Sequence, residues 1–476
     1  MVDALFGIQR AHGATHERVM SSRRLLRQDW YGTPRLFTSQ YPIESVFTKQ
    51  PRWLGGNPAV HMEHPRAMNR LAAAVAPCVT EGVAHHRVAP PSPSGESLCV
   101  EFVQTAEDLA RLEADWTDLF KRAACRNPFL SHQWMATWWK HWGAGHCLIT
   151  ITIRDHAGRL VALAPFYSHQ EGTGRLRSRS VRFLGSQHVG SDYLTILCES
   201  ERWVDDCVAR VASSLKELRA EWDFMELRDV DEESAALCAL RAQLKTAGMS
   251  ETVTTASTCP YTPLPASGDK FLAGLRSNLR YNFRRRRRTL EREGPLEFNV
   301  IEDPGTIARE FQHLVRLHSK RFTDKQEISS FLRPEVQRFH ADAVQRMAEG
   351  GFARLYVLTL RGTCIAALYG FSAGHKFSFY QSGMDPTWSR LSVGLVMMGS
   401  SIQEAIRTGH REFDFLRGAE AYKFQWTSQT RRTLTVRLFD GRWRAQAVRL
   451  GLEGRELVAN LVRVHRRSPL NGGEVQ

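Results

Sequence analysis

The alternation of apolar and polar positions predicts ordered structure from about Leu98 onward, in two rounds of the same elements. In the first round residues 100–103 read as a short strand, and about 107–121 as a helix with apolar residues three and four apart. Phe129-Leu130 leads into an aromatic helix reaching Trp142. Residues 148–154 and 160–167, joined by a turn at Gly158, read as a hairpin. In the second round the strand is 296–300 and the helix about 307–317, and Phe331-Leu332 opens a helix to Met347. Residues 355–360 and 364–371 flank a turn at Gly362. Each round closes on a helix and a strand carrying Asp-Phe, at 221–227 and at 412–418. Phe102 and Phe298, Phe129 and Phe331, Gly158 and Gly362, and Asp223 and Asp414 are separated by nearly the same number of residues. A duplicated domain leaves that spacing. The expected fold class is α/β (α+β), two tandem units with mixed central sheets.

The expected organisation is a first half at 98–270, a basic connecting helix at 271–295, a second half at 296–445, and a C-terminal helix and tail at 446–476. Residues 1–97 are rich in Pro, His, Arg and small residues with little periodicity, and Ala89-Pro90-Pro91-Ser92-Pro93-Ser94-Gly95 reads as a linker. This segment is expected to be a disordered or poorly ordered arm; a second reading places the native start at Met20, Met62 or Met68.

Composition narrows the function classes. With 42% hydrophobic and 24% charged residues over 476 positions, the chain can fill a core, which excludes collagen-like repeats and wholesale disorder. No stretch approaches the ~18 apolar residues of a membrane span. The net charge of +14 favours anionic partners without choosing among them. Nine cysteines with no C-x-x-C pair exclude a zinc ribbon or disulfide scaffold and read as reduced structural thiols of a cytoplasmic protein. The absence of G-x-G-x-x-G, P-loop, G-x-S-x-G and H-E-x-x-H patterns argues against dinucleotide enzymes, NTPases, serine hydrolases of that fold and zincins. No metal is expected.

Four places carry candidate chemistry. Residues 377–386 read as a strand and loop, followed by an apolar helix with Leu395, Met398, Ile402 and Ile406 on one face. The opening of that helix, at Arg390, Ser392, Val393 and Gly394, offers unpaired N–H groups and positive charge suited to a pyrophosphate; an ordinary strand–loop–helix connection is the plain alternative. The strand end Asp414-Phe415-Leu416-Arg417-Gly418, with Glu420, Tyr422, Lys423 and Trp426, gathers ionisable groups that suit acyl transfer, which moves a proton off an amine or hydroxyl and onto a leaving thiolate; a surface ion-pair cluster is its alternative. Residues 276–293 hold eight Arg against two Glu, including Arg284, Arg285, Arg286, Arg287 and Arg288 in succession. They form a basic helix for a nucleic acid, the phosphates of CoA, an anionic glycan or a lipid, or a solvated interdomain helix. Aromatic interleaving for base readout is absent. Finally, His318 on a helix is a base or substrate contact, or a structural histidine.

The segment Asp414-Phe415-Leu416-Arg417-Gly418 with Tyr422-Lys423 and Trp426 resembles the end motif of the CelD-type acetyltransferases, GNAT-related bacterial proteins linked to cellulose and exopolysaccharide production. Asn278-Leu279-Arg280 with the following arginines looks like that family's basic segment. Phe129-Leu130-Ser131 with Trp134, and Phe183-Leu184-Gly185 with Asp192-Tyr193, are similar to its first-half signatures. The resemblance covers about 98–445. It implies two tandem GNAT-like domains, a fold also seen in Fem-type aminoacyltransferases, with an acetyl or acyl group moved from acyl-CoA to an amine or hydroxyl of a sugar, nucleotide sugar or cell-envelope precursor. Under it, Asp414 accepts a proton or orients substrate, and Tyr422, or Tyr380 in its place, protonates the leaving thiolate. Lys423, Arg417, Gly418, Glu420, Trp426 and His318 line the substrate site; Arg390, Ser392, Val393 and Gly394 hold the donor. Where the family commonly has Pro-Gly at the phosphate-side helix, Leu391-Ser392-Val393-Gly394 stands here. Alternatives are an aminoacyl-tRNA donor, with tRNA the one nucleic acid expected, and a non-catalytic binding protein of polysaccharide synthesis. The expected place is the cytoplasm, with contact to the inner membrane face through the arginine run as an option.

Overall fold

The computed structural model describes residues 87–88, 97–172, 177–325 and 329–467. The expectations for the arm at 1–97 and for the last residues of the tail therefore lie almost wholly outside the described residues. All the described residues belong to the unit from Pro77 onward.

The principal strands are β1 (Cys99–Val103), β2 (Thr150–Arg154), β3 (Leu160–Ala164), β4 (Phe166–Glu171), β5 (Ser178–Phe183), β6 (Phe224–Asp231), β7 (Ser250–Pro263), β8 (Leu296–Ile301), β9 (Ala353–Leu360), β10 (Thr363–Ala373), β11 (Lys376–Met384), β12 (Glu412–Asp414) and β13 (Thr430–Phe439). The helices are α1 (Ala106–Arg111), α2 (Glu113–Arg122), α3 (His132–Trp142), α4 (Val204–Glu217), α5 (Ala235–Thr246), α6 (Gly268–Gly274), α7 (Ser277–Glu293), α8 (Pro304–Lys325), α9 (Pro334–Glu349), α10 (Val393–Arg407) and α11 (Trp443–Arg467). Among the described residues no helix is long and apolar enough to cross a membrane.

A five-stranded sheet runs Arg87–Val88, β1, β2, β3, Leu197–Cys198. An eleven-stranded sheet runs β8-β9-β10-β11-β12-β7-β13-β6-β5-β4 and ends on Cys147–Leu148. Most neighbours are antiparallel, but β5 with β6 and β11 with β12 are parallel. The strands of the two expected halves are interleaved. β13, from the C-terminal part, pairs with β7 from Ser250 to Pro260 and with β6 on its other edge. No boundary at 270 or 296 separates two sheets.

Several elements differ from their sequence readings for local reasons. The single helix expected at 107–121 is two, because the chain resets at Leu112, whose N–H closes on Asp108 and Ala110. The strand expected at 160–167 breaks at Pro165, which lacks a ladder N–H; β3 stays in the small sheet and β4 joins the large one. The strand expected at 412–418 stops at Asp414, whose Oδ1 accepts the Leu416 N–H at 2.8 Å, with Leu416 at φ 53°. That side chain turns its own backbone out of the sheet. β7 and β13 escaped assignment altogether.

The core is continuous across the repeat. Trp134 on α3 meets Phe339 on α9 edge to face at 5.0 Å and Phe371 on β10 at 5.4 Å, and Phe129 meets Phe371 at 5.5 Å. A second cluster under the other face of the large sheet joins α7 to α10, where Phe283 lies against Gly399 and Trp426. A Cβ at Gly399 would sit 2.3 Å from the Phe283 ring. Gly399→Val should therefore lower stability by about 1–3 kcal/mol through overpacking, read as a reduced urea midpoint at unchanged slope.

Candidate active site

β11 and β12 run side by side for three residues, Lys376–Ser378 against Glu412–Asp414, and then part. Beyond Asp414 the chain follows β7: the Phe415 N–H donates to the Pro260 carbonyl at 2.9 Å and the Gly418 N–H to that of Thr258 at 3.0 Å. β11 instead continues beside β10 to Met384. The strand period puts Ser378, Tyr380 and Asp414 on one face, while Phe377, Phe379, Phe413 and Phe415 fill the second core on the other.

Asp414 is 0% exposed at this fork. The Tyr193 hydroxyl, from the loop after β5, donates to its Oδ1 at 3.2 Å. Its Oδ2 faces Lys376 Nζ at 3.8 Å and Arg431 Nη1 at 3.5 Å. Arg431 enters on β13, pairs with Glu412 at 2.7 Å and lies 3.8 Å over the Tyr261 ring. Burial pushes the Asp414 carboxyl up to about 6 against the pull of Lys376 and Arg431. A carboxyl there changes charge just below neutral pH, the range useful to a base.

The neighbouring loop is held by ion pairs across the repeat. The Arg417 guanidinium sits 2.7 Å from Asp192, 3.3 Å from Asp229 and 3.1 Å from the Ser191 carbonyl, and its backbone N–H donates to Asp192 at 3.0 Å. Lys423, nearly buried, donates to the carbonyls of Leu416, Arg417 and Gly418 and pairs with Glu420 at 3.0 Å. Both cations expected to hold substrate are thus engaged in holding the loop. Gly418 sits at φ 108°, a conformation that disfavours a side chain, and a Cβ there would strike the Glu420 carboxylate. Trp426 is core, stacked on Phe271. Tyr422, 36% exposed, reaches the surface of the same loop.

Tyr380 is brought to the same sheet face as Asp414. Its hydroxyl accepts the Gly190 N–H at 3.2 Å and lies 3.3 Å from His340 Nε2. His340 is fully buried, and burial alone brings it down to about 3, so it is neutral. His318 is also buried, between the Ser382 carbonyl at 3.0 Å and the Ser329 hydroxyl at 2.9 Å, with burial bringing it down to about 4. Its two nitrogens are occupied, and it joins α8 to β11.

β11 ends in a turn, Pro386–Leu391, before α10. Ser392 at φ 53° precedes the helix and no side chain caps it, which leaves its first N–H groups open. Val393 is buried, and Gly394 meets the Met384 side chain, which a Cβ would overlap. Arg390 is exposed on the turn, and its carbonyl accepts from Arg286. An open depression of about 640 Å3 beside this turn is lined by Lys320, Thr323, Pro386, Thr387 and Ser389. Lys320 pairs with Asp385 at 2.7 Å.

Tyr193, Lys376, Arg431, Glu412, Asp192 and Asp229 surround Asp414 and its loop, and none of them is among the site residues expected from the sequence. Among the described residues no group of three or more His, Cys, Asp or Glu is placed to hold a metal ion.

Residues 277–424 match the family model described as an acetyltransferase (GNAT) domain. FemX aligns over 68% of this chain and 95% of its own, with 11% identity and a TM-score of 0.51. L-PGS from Bacillus licheniformis aligns over 72% of this chain and 95% of its own at 12% identity and TM-score 0.44. A tandem GNAT protein from the clavulanic acid biosynthesis pathway gives 71%, 98%, 11% and 0.36. No curated protein matches the chain. The likeness to FemX is one of fold, a mixed α/β architecture.

The ion pairs give a test of the loop. Arg417→Ala leaves Asp192 and Asp229 without their shared cation and should cost about 3 kcal/mol, measured by chemical denaturation. Asp229→Asn in the same background should recover part of that loss.

Proposed function

We propose that this chain transfers an acetyl or acyl group from acyl-CoA to an amine or hydroxyl of a sugar or cell-envelope precursor, in the manner of an exopolysaccharide acetyltransferase. The observation that carries the reading is a buried carboxyl, Asp414, raised to about 6 where two parallel strands part. The acetyltransferase domain match over 277–424 supports the reaction class. The donor's diphosphate lies at the uncapped start of α10 and the depression beside it, where N–H groups, Lys320 and the hydroxyls of Thr323, Thr387 and Ser389 meet anionic oxygens. Its pantetheine arm enters the gap between β11 and β12.

In the reaction the acceptor nitrogen or oxygen bonds to the thioester carbonyl carbon, and the carbon–sulfur bond breaks. The acceptor proton passes to Asp414 through the Tyr193 hydroxyl, which takes one proton as it gives another. The sulfur leaves as a thiolate and is protonated by Tyr422 or Tyr380. His340 and the Gly190 N–H fix the Tyr380 hydroxyl for that task. Arg417 and Lys423 keep the loop in place, and the two halves act as one body in the cytoplasm or at the inner membrane face.

Asp414→Asn should lower kcat/KM for thioester cleavage by about 100-fold or more and remove the rise of rate with pH centred near 6. Binding of acyl-CoA, read as a raised melting temperature, should persist. A variant with full rate and the same pH profile would remove Asp414 from the mechanism. Consumption of aminoacyl-tRNA and of no CoA ester would replace the donor.

A further inference from the structure

The acyl-transfer site leaves unused a long basic feature, the exposed side of α7. Its buried side is settled: Phe283 and Leu290 are in the core, and Leu275 and Leu279 pack against it. On the outer side two rows of residues four apart run along the helix. One is Arg280, Arg284, Arg288 and Arg292; the other is Ser277, Tyr281, Arg285 and Thr289. A shallow trough of about 480 Å3 lies between them and is lined by these eight residues alone.

Two further arginines of the helix are spoken for. Arg286 donates to the Arg390 carbonyl and Arg287 pairs with Glu291 at 3.0 Å. In the trough, Arg280 donates to the Ala273 carbonyl at 2.8 Å, and Arg285 stacks 5.7 Å over the Tyr281 ring. Among the described residues, Arg284, Arg288 and Arg292 have no carboxylate partner. Like charges four apart destabilise a helix by about 0.2–0.5 kcal/mol per pair, so a merely solvated face would intersperse acids.

We infer that this trough docks the phosphodiester backbone of a single nucleic-acid strand. Three features favour a strand over a membrane. The site is a narrow trough along one helix rather than a broad surface. It is built from arginine, whose planar fork grips phosphate oxygens bidentately. Its one exposed large apolar residue is Tyr281, 63% exposed, a ring on which a base can stack; the apolar stripe that an interfacial helix would insert among lipids is already buried. Contacts are to backbone and ring face, so binding is indifferent to base sequence.

The test uses the full chain with a fluorescein-labelled 20-nucleotide oligouridylate, followed by anisotropy over a range of salt. The row Arg280, Arg284, Arg288 and Arg292 neutralising four phosphates predicts a log–log salt slope of about −3. The double variant Arg284→Glu, Arg288→Glu should weaken binding at least tenfold and flatten the slope by about half. Arg309→Glu, an exposed arginine on α8, should leave binding intact, and melting curves show whether each variant is folded. Tyr281→Ala should weaken binding several-fold with the slope unchanged. Absence of oligouridylate binding, or equal binding by the folded double variant, overturns the inference. So does sedimentation with phosphatidylglycerol vesicles that depends on Arg284 and Arg288 while oligouridylate fails to bind. Thioester cleavage is assayed separately, so loss of one activity does not decide the other.

Discussion

Everything in the fork depends on where β13 lies. A strand from near the C-terminal end of the described chain runs between β6 and β7, both laid down some two hundred residues earlier. Its ladders complete the large sheet, since without it β6 and β7 would each expose an unpaired edge. It also carries Arg431 into the site, where the guanidinium neutralises Glu412, faces Asp414 and covers the Tyr261 ring. Sheet closure and site electrostatics are one event.

The second constraint is the balance at Asp414. Burial alone favours a neutral carboxyl; Lys376 and Arg431, at 3.8 and 3.5 Å, favour the ion. The Tyr193 hydroxyl bonds to the carboxyl directly, and the neighbouring Asp192 holds Arg417 on the same loop. The N-terminal part of the chain is thus a component of this fork, supplying Tyr193, Asp192, Asp229 and Gly190. A second parallel pair, β5 with β6, exists in that part, but the loop after β5 is committed to contacts with Arg417, Tyr380 and Asp414.

The sequence made some of this legible. Short-range periodicity found α3, α9, α10 and the β9–β10 hairpin, because each buries one face against neighbours and its pattern is local. Asp414 and Tyr380 stood out because ionisable and aromatic groups clustered at predicted strand ends. Arg431 did not, since on its own strand it reads as one of three basic residues near an alternating Thr-Leu-Thr-Val run. Its role exists only through pairing with β7, a partner distant in the chain. Lys423 and Arg417 looked like substrate ligands for the same reason: nothing local shows that the loop carbonyls and two distant aspartates already satisfy them. Pro165 was a visible breaker, yet that its strand would change sheets there follows only from the layout of the whole fold.

The interleaving of β13 also sets an order of assembly during translation. β6 and β7 leave the ribosome long before residues 430–439 are made, and until then two strand edges beside a nearly finished sheet must stay unpaired. The nascent N-terminal part cannot reach its native state by itself. Sequence-distant closure of this kind slows folding and makes the incomplete chain a natural client for a chaperone that shields strand edges.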